Sequence, residues 1–343
     1  MSARTGSRTR LAISMGDPGG IGPEVVLKAL ATRAVGAAID PILVGDRAVW
    51  GETARRLGLP AAFSDTPRPR HLTVAATSEL AARHRTPGRP SHSSSAAARG
   101  EAAYSAILEA VRLVQTGQAA GVVTAPINKA HLAAAGHDFP GHTELLAKLC
   151  GDVPVRMMMV GTRLRVVLVT THIALAEVPA RLSRENVYQT IAMTARALRR
   201  QFGIPAPRVA VAGLNPHAGE SGLFGDEEAR LIAPAVRAAR RHRLNVVGPL
   251  AADSLFAQAA DGNYDAIVCM YHDQGLAPFK LLHFADGVNF TVGLPFVRTS
   301  PDHGTAFDIA GSGRADARSM VAALQLAAQL AGTSANESLP RSH

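Results

Sequence analysis

One device, used three times in the middle of the chain, constrains its fold more than anything else: an apolar run whose carboxyl end turns directly into polar residues. Residues 165–170 lead into Thr171-His172, residues 208–212 into Gly213-Leu214-Asn215-Pro216-His217, and residues 266–270 into Tyr271-His272-Asp273. Ala- and Leu-rich segments of helical period are expected at about 183–202, 226–241 and 320–330. Short β-branched runs alternating with longer amphipathic ones are the signature of βαβ units, so the chain reads as α/β. Upstream, residues 11–14, 41–44 and 120–124 read as strands, and 47–57 and 101–116 as helices. The loop Met15-Gly16-Asp17-Pro18-Gly19-Gly20-Ile21-Gly22-Pro23 opens a further helix with proline in its first turn.

At 343 residues the chain exceeds what one hydrophobic core usually serves, so two lobes are expected. The first is drawn from 11–130 plus 295–331 and the second from 131–294, with disordered tails at 1–10 and 332–343. Hydrophobic residues make up 47% of the chain, too many for a disordered protein. The net charge of +9 is dispersed over Arg4, Arg8 and Arg10, over Arg83, Arg85, Arg89 and Arg99, and over Arg237, Arg240, Arg241 and Arg243. A nucleic-acid binder would cluster that charge on one face with aromatics between, so anionic small molecules are the better expectation. Cys150 and Cys269 form no CxxC pair, which suits a reducing cytoplasm. No signal-peptide core and no run of membrane-spanning length is present, so a cytoplasmic location and no membrane partner are expected.

Ligands of open α/β sheets gather beyond the carboxyl ends of strands, where His172, His217 and His272 stand. Dozens of residues separate them, so no zinc-finger spacing applies; they offer three imidazoles to one sheet edge with coordination positions left open. The competing reading makes each a hydrogen-bonding turn residue. Asp253 and Asp273 are candidates for orienting a histidine or moving a proton, and equally for capping helices.

A second constellation suits an anion. His142 and Thr143 precede the apolar run 145–149, where Thr143 can cap a helix or, with His142, add donors to its exposed amides. Lys280, Asn289 and Arg298 surround the strand expected at 288–292; arginine binds phosphate or carboxylate through two parallel hydrogen bonds, and surface ion pairing is the alternative. The loop at 16–22 lacks the GxGxxG order of a standard dinucleotide site. The loop 300–306 combines a turn with small residues that let a ligand approach the backbone closely; the competing reading is a plain glycine turn before a helix carrying Phe307.

These segments resemble the 4-hydroxythreonine-4-phosphate dehydrogenase family of pyridoxal phosphate biosynthesis. The likeness runs through Gly16-Asp17-Pro18-Gly19-Gly20, Pro126-Ile127-Asn128-Lys129, Gly141-His142-Thr143-Glu144 and Thr170-Thr171-His172. It continues through Asn215-Pro216-His217-Ala218-Gly219-Glu220, Met270-Tyr271-His272-Asp273-Gln274-Gly275 and Arg298-Thr299-Ser300-Pro301-Asp302-His303-Gly304. The resemblance implies a two-lobed fold like that of isocitrate and isopropylmalate dehydrogenases, with the active site in the interlobe cleft. It also implies a homodimer through the second lobe, with active sites built from both chains. It places a divalent metal on His172, His217 and His272, and substrate on His142, Thr143, Lys280, Asn289 and Arg298. Lys129, Asp253 and Asp273 are the candidates for proton handling. The implied reaction oxidises 4-phosphohydroxy-L-threonine with NAD or NADP and releases CO2. Three imidazoles suit zinc best, with magnesium or cobalt as alternatives. Relatives acting on 4-phospho-D-threonate or 4-phospho-D-erythronate share these residues. A non-catalytic binding protein for phosphate or sugar acids is the reading from another class.

Overall fold

The computed structural model describes residues 8–60, 62–67, 71–80 and 95–337, and the chain divides into two compact units. Unit 1 comprises the chain up to Val153 together with the part from Leu294 onward; unit 2 is the continuous segment Pro154–Gly293.

Unit 1 is built on six strands: β1 (Thr9–Ser14), β2 (Ile39–Gly45), β3 (Ala62–Ser64), β4 (His71–Ala76), β5 (Gly121–Thr124) and β12 (Val297–Pro301). Their order is β3-β4-β2-β1-β5-β12, and every pairing is parallel. Parallel neighbours need crossover connections, and the helices of those connections cover the sheet. Leu11, Ala12, Ile13, Val122 and Val123 are accordingly inaccessible to solvent. Helix Ala96–Gln115 starts where Ser95 accepts a hydrogen bond from the Ala98 N–H (3.1 Å). It buries Ala102, Ala103, Ala106, Ile107, Ala110 and Val111, the i, i+3, i+4 stripe of a helix on a core.

Unit 2 is a mixed sheet of β6 (Arg156–Val160), β7 (Arg165–Leu168), β8 (Val209–Ala212), β9 (Val246–Leu250), β10 (Ala266–Cys269) and β11 (Val288–Val292). The order is β11-β6-β7-β10-β8-β9. β6 runs antiparallel to both its neighbours, whereas β7, β10, β8 and β9 are mutually parallel. The strands that deliver His172, His272 and His217 therefore end on one edge, with the His272 strand between the other two.

The α/β expectation holds, and several boundaries move. Residues 131–153, expected in the second lobe, cluster with unit 1, where helix Lys129–Ala134 packs closely on helix Ala96–Gln115. A Cβ on Gly100 would lie 1.9 Å from the carbonyl oxygen of His131, so only glycine permits that approach. Residues 9 and 10, expected in a disordered tail, open β1, and Arg10 ion-pairs with Asp40 at 2.6 Å. Residues 332–337 extend the final helix, Arg318–Glu337. Of the basic positions at 83–99, Arg83, Arg85 and Arg89 lie outside the described residues, while Arg99 is helical. Phe307 sits in turns rather than a helix, after Ala306 at a φ of 40°. Among the described residues, no helix is long and apolar enough to cross a membrane.

Candidate functional site

In unit 1 the anion candidates converge. Arg298, in β12, is 1% exposed, and its Nη2 donates to Thr124 Oγ1 (2.6 Å) at the end of β5. Burial pulls its pKa down to about 9, although the Glu144 carboxylate works against that; the group remains a cation at neutral pH. His142 is the first residue of helix His142–Leu149, whose N-cap is Gly141 with no side-chain capping bond. Thr143 is thus a first-turn residue and not the cap. Burial first, and the Arg298 charge second, hold the His142 imidazole well below its ordinary pKa. Its Nε2 is buried without a hydrogen-bond partner. A neutral ring, a buried cation and the amides of a helix start offer an anion both charge and directed donors. Lys129, exposed, begins helix Lys129–Ala134, and a Cβ on Gly141 would lie 3.9 Å from its Cε.

A pH dependence follows from His142. The unfolded chain takes up a proton on this ring near 6.5, while the folded state resists it to lower pH. Stability is therefore full above that value and falls as pH drops from it toward the lowered folded value. Thermal melts should show His142→Gln losing less stability than the parent between pH 7 and 5; equal acid slopes would contradict the assignment.

In unit 2 the structure brings together two of the three histidines. The His172 and His272 rings lie 5.6 Å apart, centroid to centroid, at an interplanar angle of 43°. Two imidazoles on one tetrahedral zinc, with Zn–N about 2 Å, place their ring centres about 5 Å apart, so the pair fits a shared ion. His272 opens helix His272–His283, and its Nδ1 lies 2.8 Å from Asp273 Oδ1, although Asp273 is 84% exposed. Asp253 is exposed and accepts from the Ser254 N–H (2.9 Å), a local role at the start of helix Ala252–Ala260. Lys280 is half-buried on helix His272–His283. Asn289 is half-buried on β11, with its Oδ1 buried and unpartnered.

His217 lies in the loop that follows β8. Among the described residues, no three His, Cys, Asp or Glu side chains of one chain come close enough to hold a metal. The loop after β8 explains how its ring is presented. His217, Ala218, Glu220 and Ser221 all have positive φ, between 40° and 59°, with Gly219 and Gly222 completing a left-handed run. Each non-glycine residue in that conformation costs about 1–2 kcal/mol, so something else must hold the loop. Glu228 does: its buried carboxylate accepts from the N–H groups of Leu214 and Asn215 (2.7 Å each) and from Asn215 Nδ2 (3.0 Å). A Cβ on Gly219 would meet Glu228 Oε2 at 2.8 Å. Sequence reasoning missed Glu228 because nothing local ties it to a loop that starts fourteen residues earlier.

Fold and site together define an α/β protein that gathers polar residues at the carboxyl ends of parallel strands. The chain belongs to the PdxA family, described as pyridoxal phosphate biosynthetic protein, whose model matches residues 37–327. It is 50% identical over 332 residues to a 4-hydroxythreonine-4-phosphate dehydrogenase of Geobacter metallireducens, covering 95% of this chain and 96% of that one. A D-threonate 4-phosphate dehydrogenase of Pectobacterium atrosepticum is 43% identical over 328 residues, covering 94% and 99% respectively. The crystal structure of a 4-hydroxythreonine-4-phosphate dehydrogenase from Klebsiella pneumoniae superposes with a TM-score of 0.84 at 42% identity, covering 96% of this chain and 99% of that one. The protein is an oxidoreductase of that family.

Proposed function

We propose that the enzyme oxidises 4-phosphohydroxy-L-threonine with NAD or NADP. The β-keto acid formed loses CO2 and leaves 3-amino-2-oxopropyl phosphate. The observation that carries the reading is the buried Arg298 beside an unpartnered, neutral His142 Nε2 at a helix start, an arrangement built for an anion such as a phosphate ester. In unit 1, Arg298, His142 and Thr143 bind and orient that phosphate. In unit 2, Lys280 and Asn289 supply further substrate contacts, while His172, His217 and His272 hold a divalent metal, with zinc the best match to imidazole donors. Bound there, the metal supplies Lewis-acid polarisation of the substrate hydroxyl. Lys129, Asp253 and Asp273 are the candidates to move the hydroxyl proton; Asp273, hydrogen-bonded to His272, also orients that imidazole.

The reading includes a homodimer, with one imidazole of each metal centre coming from the second copy. Two observations fit it: among the described residues no group of three His, Cys, Asp or Glu could hold a metal within one chain, and apolar side chains are left in solvent on unit 2. Leu281 is 86% exposed, Phe284 81% and Leu223 71%.

The likeness to a D-threonate 4-phosphate dehydrogenase favours a second reading, with a substrate bearing a hydroxyl in place of the amine. Cofactor reduction measured side by side on 4-phosphohydroxy-L-threonine, 4-phospho-D-threonate and 4-phospho-D-erythronate decides between them. A higher kcat/KM on the amino acid is expected, and preference for either sugar acid would overturn it. A binding protein without catalysis would reduce neither NAD nor NADP with any of the three.

A further inference from the structure

Beneath the three histidine-bearing strand ends runs a continuous line of hydrogen bonds that includes none of the histidines. Gln274, in the first turn of helix His272–His283, is buried. Its Oε1 accepts from the Met270 N–H (2.7 Å), two residues before His272. Its Nε2 donates to the Gly213 carbonyl (2.6 Å), where the His217 loop leaves β8. The Met270 carbonyl accepts twice from Thr170, from its N–H (3.2 Å) and its hydroxyl (2.7 Å), two residues before His172. Beyond Gly213, the N–H groups of Leu214 and Asn215 rest on Glu228. Thr170, Met270, Gln274, Gly213 and Glu228 thereby tie all three loops to one another.

We propose that Gln274 is a positioning residue of the metal centre: it fixes the spacing of the three imidazole-bearing strand ends within each chain without touching metal or substrate. This rests on the reading that His172, His217 and His272 hold the metal. The chemistry of the position admits little else. It must accept from an N–H and donate to a carbonyl at opposite corners of one planar group, which an amide does. An ionised glutamate offers acceptors only and would face the Gly213 carbonyl with a charge, or take up a proton to donate there; a methionine offers neither function. Because the amide is buried, losing either bond leaves a backbone group unsatisfied. The loops, free to shift, would then hold the metal less well. Groups behind metal ligands characteristically tune affinity by about 10- to 100-fold.

The test measures zinc affinity of the full-length protein by competition with a chromophoric chelator. The panel is the parent, Gln274→Glu, Gln274→Met, Thr170→Val, His172→Ala and His217→Ala. Both Gln274 variants should bind zinc about 10- to 100-fold more weakly, with Thr170→Val weakened less. Turnover of the Gln274 variants should return toward the parent's as zinc is raised, with KM for the phosphorylated substrate unchanged. A merely structural loss would lower melting temperature without rescue by zinc. Parent-like zinc affinity in folded Gln274→Glu and Gln274→Met, with His172→Ala and His217→Ala weakened, would overturn the positioning role and leave the metal reading standing. Parent-like affinity in the histidine variants would instead remove the metal reading itself. If both Gln274 variants fail to fold, Thr170→Val decides, and parent-like zinc affinity there overturns the proposal.

Discussion

Substituting His172 or His272 by alanine is expected to strip zinc from the purified protein and lower turnover by about three orders of magnitude or more. Lewis-acid stabilisation is worth several kcal/mol, and each ~1.4 kcal/mol is a factor of ten in rate. Neither residue belongs to the buried core, so the melting temperature of the metal-free protein should barely move. Metal analysis beside initial rates of NAD(P)H formation makes the measurement; unchanged metal content in both variants would remove the metal from these residues. The same variants test the sharing of sites. Co-expressed His172→Ala and His217→Ala chains can form a mixed dimer in which one centre has lost both imidazoles and the other has kept all three. Activity should then return, up to half the parent's per mixed dimer. A site complete within one chain gives no recovery.

The second large effect is expected at Arg298. Truncating one member of a buried, hydrogen-bonded charge interaction costs about 2–5 kcal/mol. Arg298→Met should therefore lower kcat/KM on a phosphorylated substrate by about two to three orders of magnitude. Because the phosphate is remote from the reacting carbon, most of the loss should fall on KM. Methionine keeps apolar volume in a fully buried place, which limits the cost to the fold. Inorganic phosphate should raise the melting temperature of the parent and not of the variant; equal protection of both would remove Arg298 from anion binding. Without the Arg298 charge, the His142 pKa should also move upward, though burial, the larger cause, still holds it down.

The strands that end in histidines were legible because their β-branched runs stop abruptly at polar residues. β6 was not, since its Met157-Met158-Met159 centre carries no β-branched signal. β9 is interrupted by Gly248-Pro249, a pair that reads as a turn. The assignment of 131–153 to the second lobe failed because a unit boundary is set by which sheet a segment packs on, and composition does not change at 153. At the site, His142, Thr143 and Arg298 could be named singly from their motifs. That the Arg298 charge acts on the His142 ring could not, because the two residues are far apart in sequence and only the folded unit 1 brings them within electrostatic reach. The hold of Glu228 on the loop that carries His217 was equally hidden, because that carboxylate lies well downstream of the loop in sequence.

Unit 2 is one uninterrupted stretch of chain, whereas unit 1 is assembled from two stretches on either side of it. During synthesis, every strand of unit 2 is in hand once residue 292 has emerged. Unit 1 at that moment still lacks β12, the strand beside β5, and the helix Arg318–Glu337 that covers it. Domains fold as units while the ribosome is still adding residues, so the imidazole-bearing half can mature first. The proposed anion site cannot, because Arg298 arrives on that last strand. A ribosome stalled before residue 297 would thus display a finished scaffold for the histidines joined to a half that still lacks Arg298.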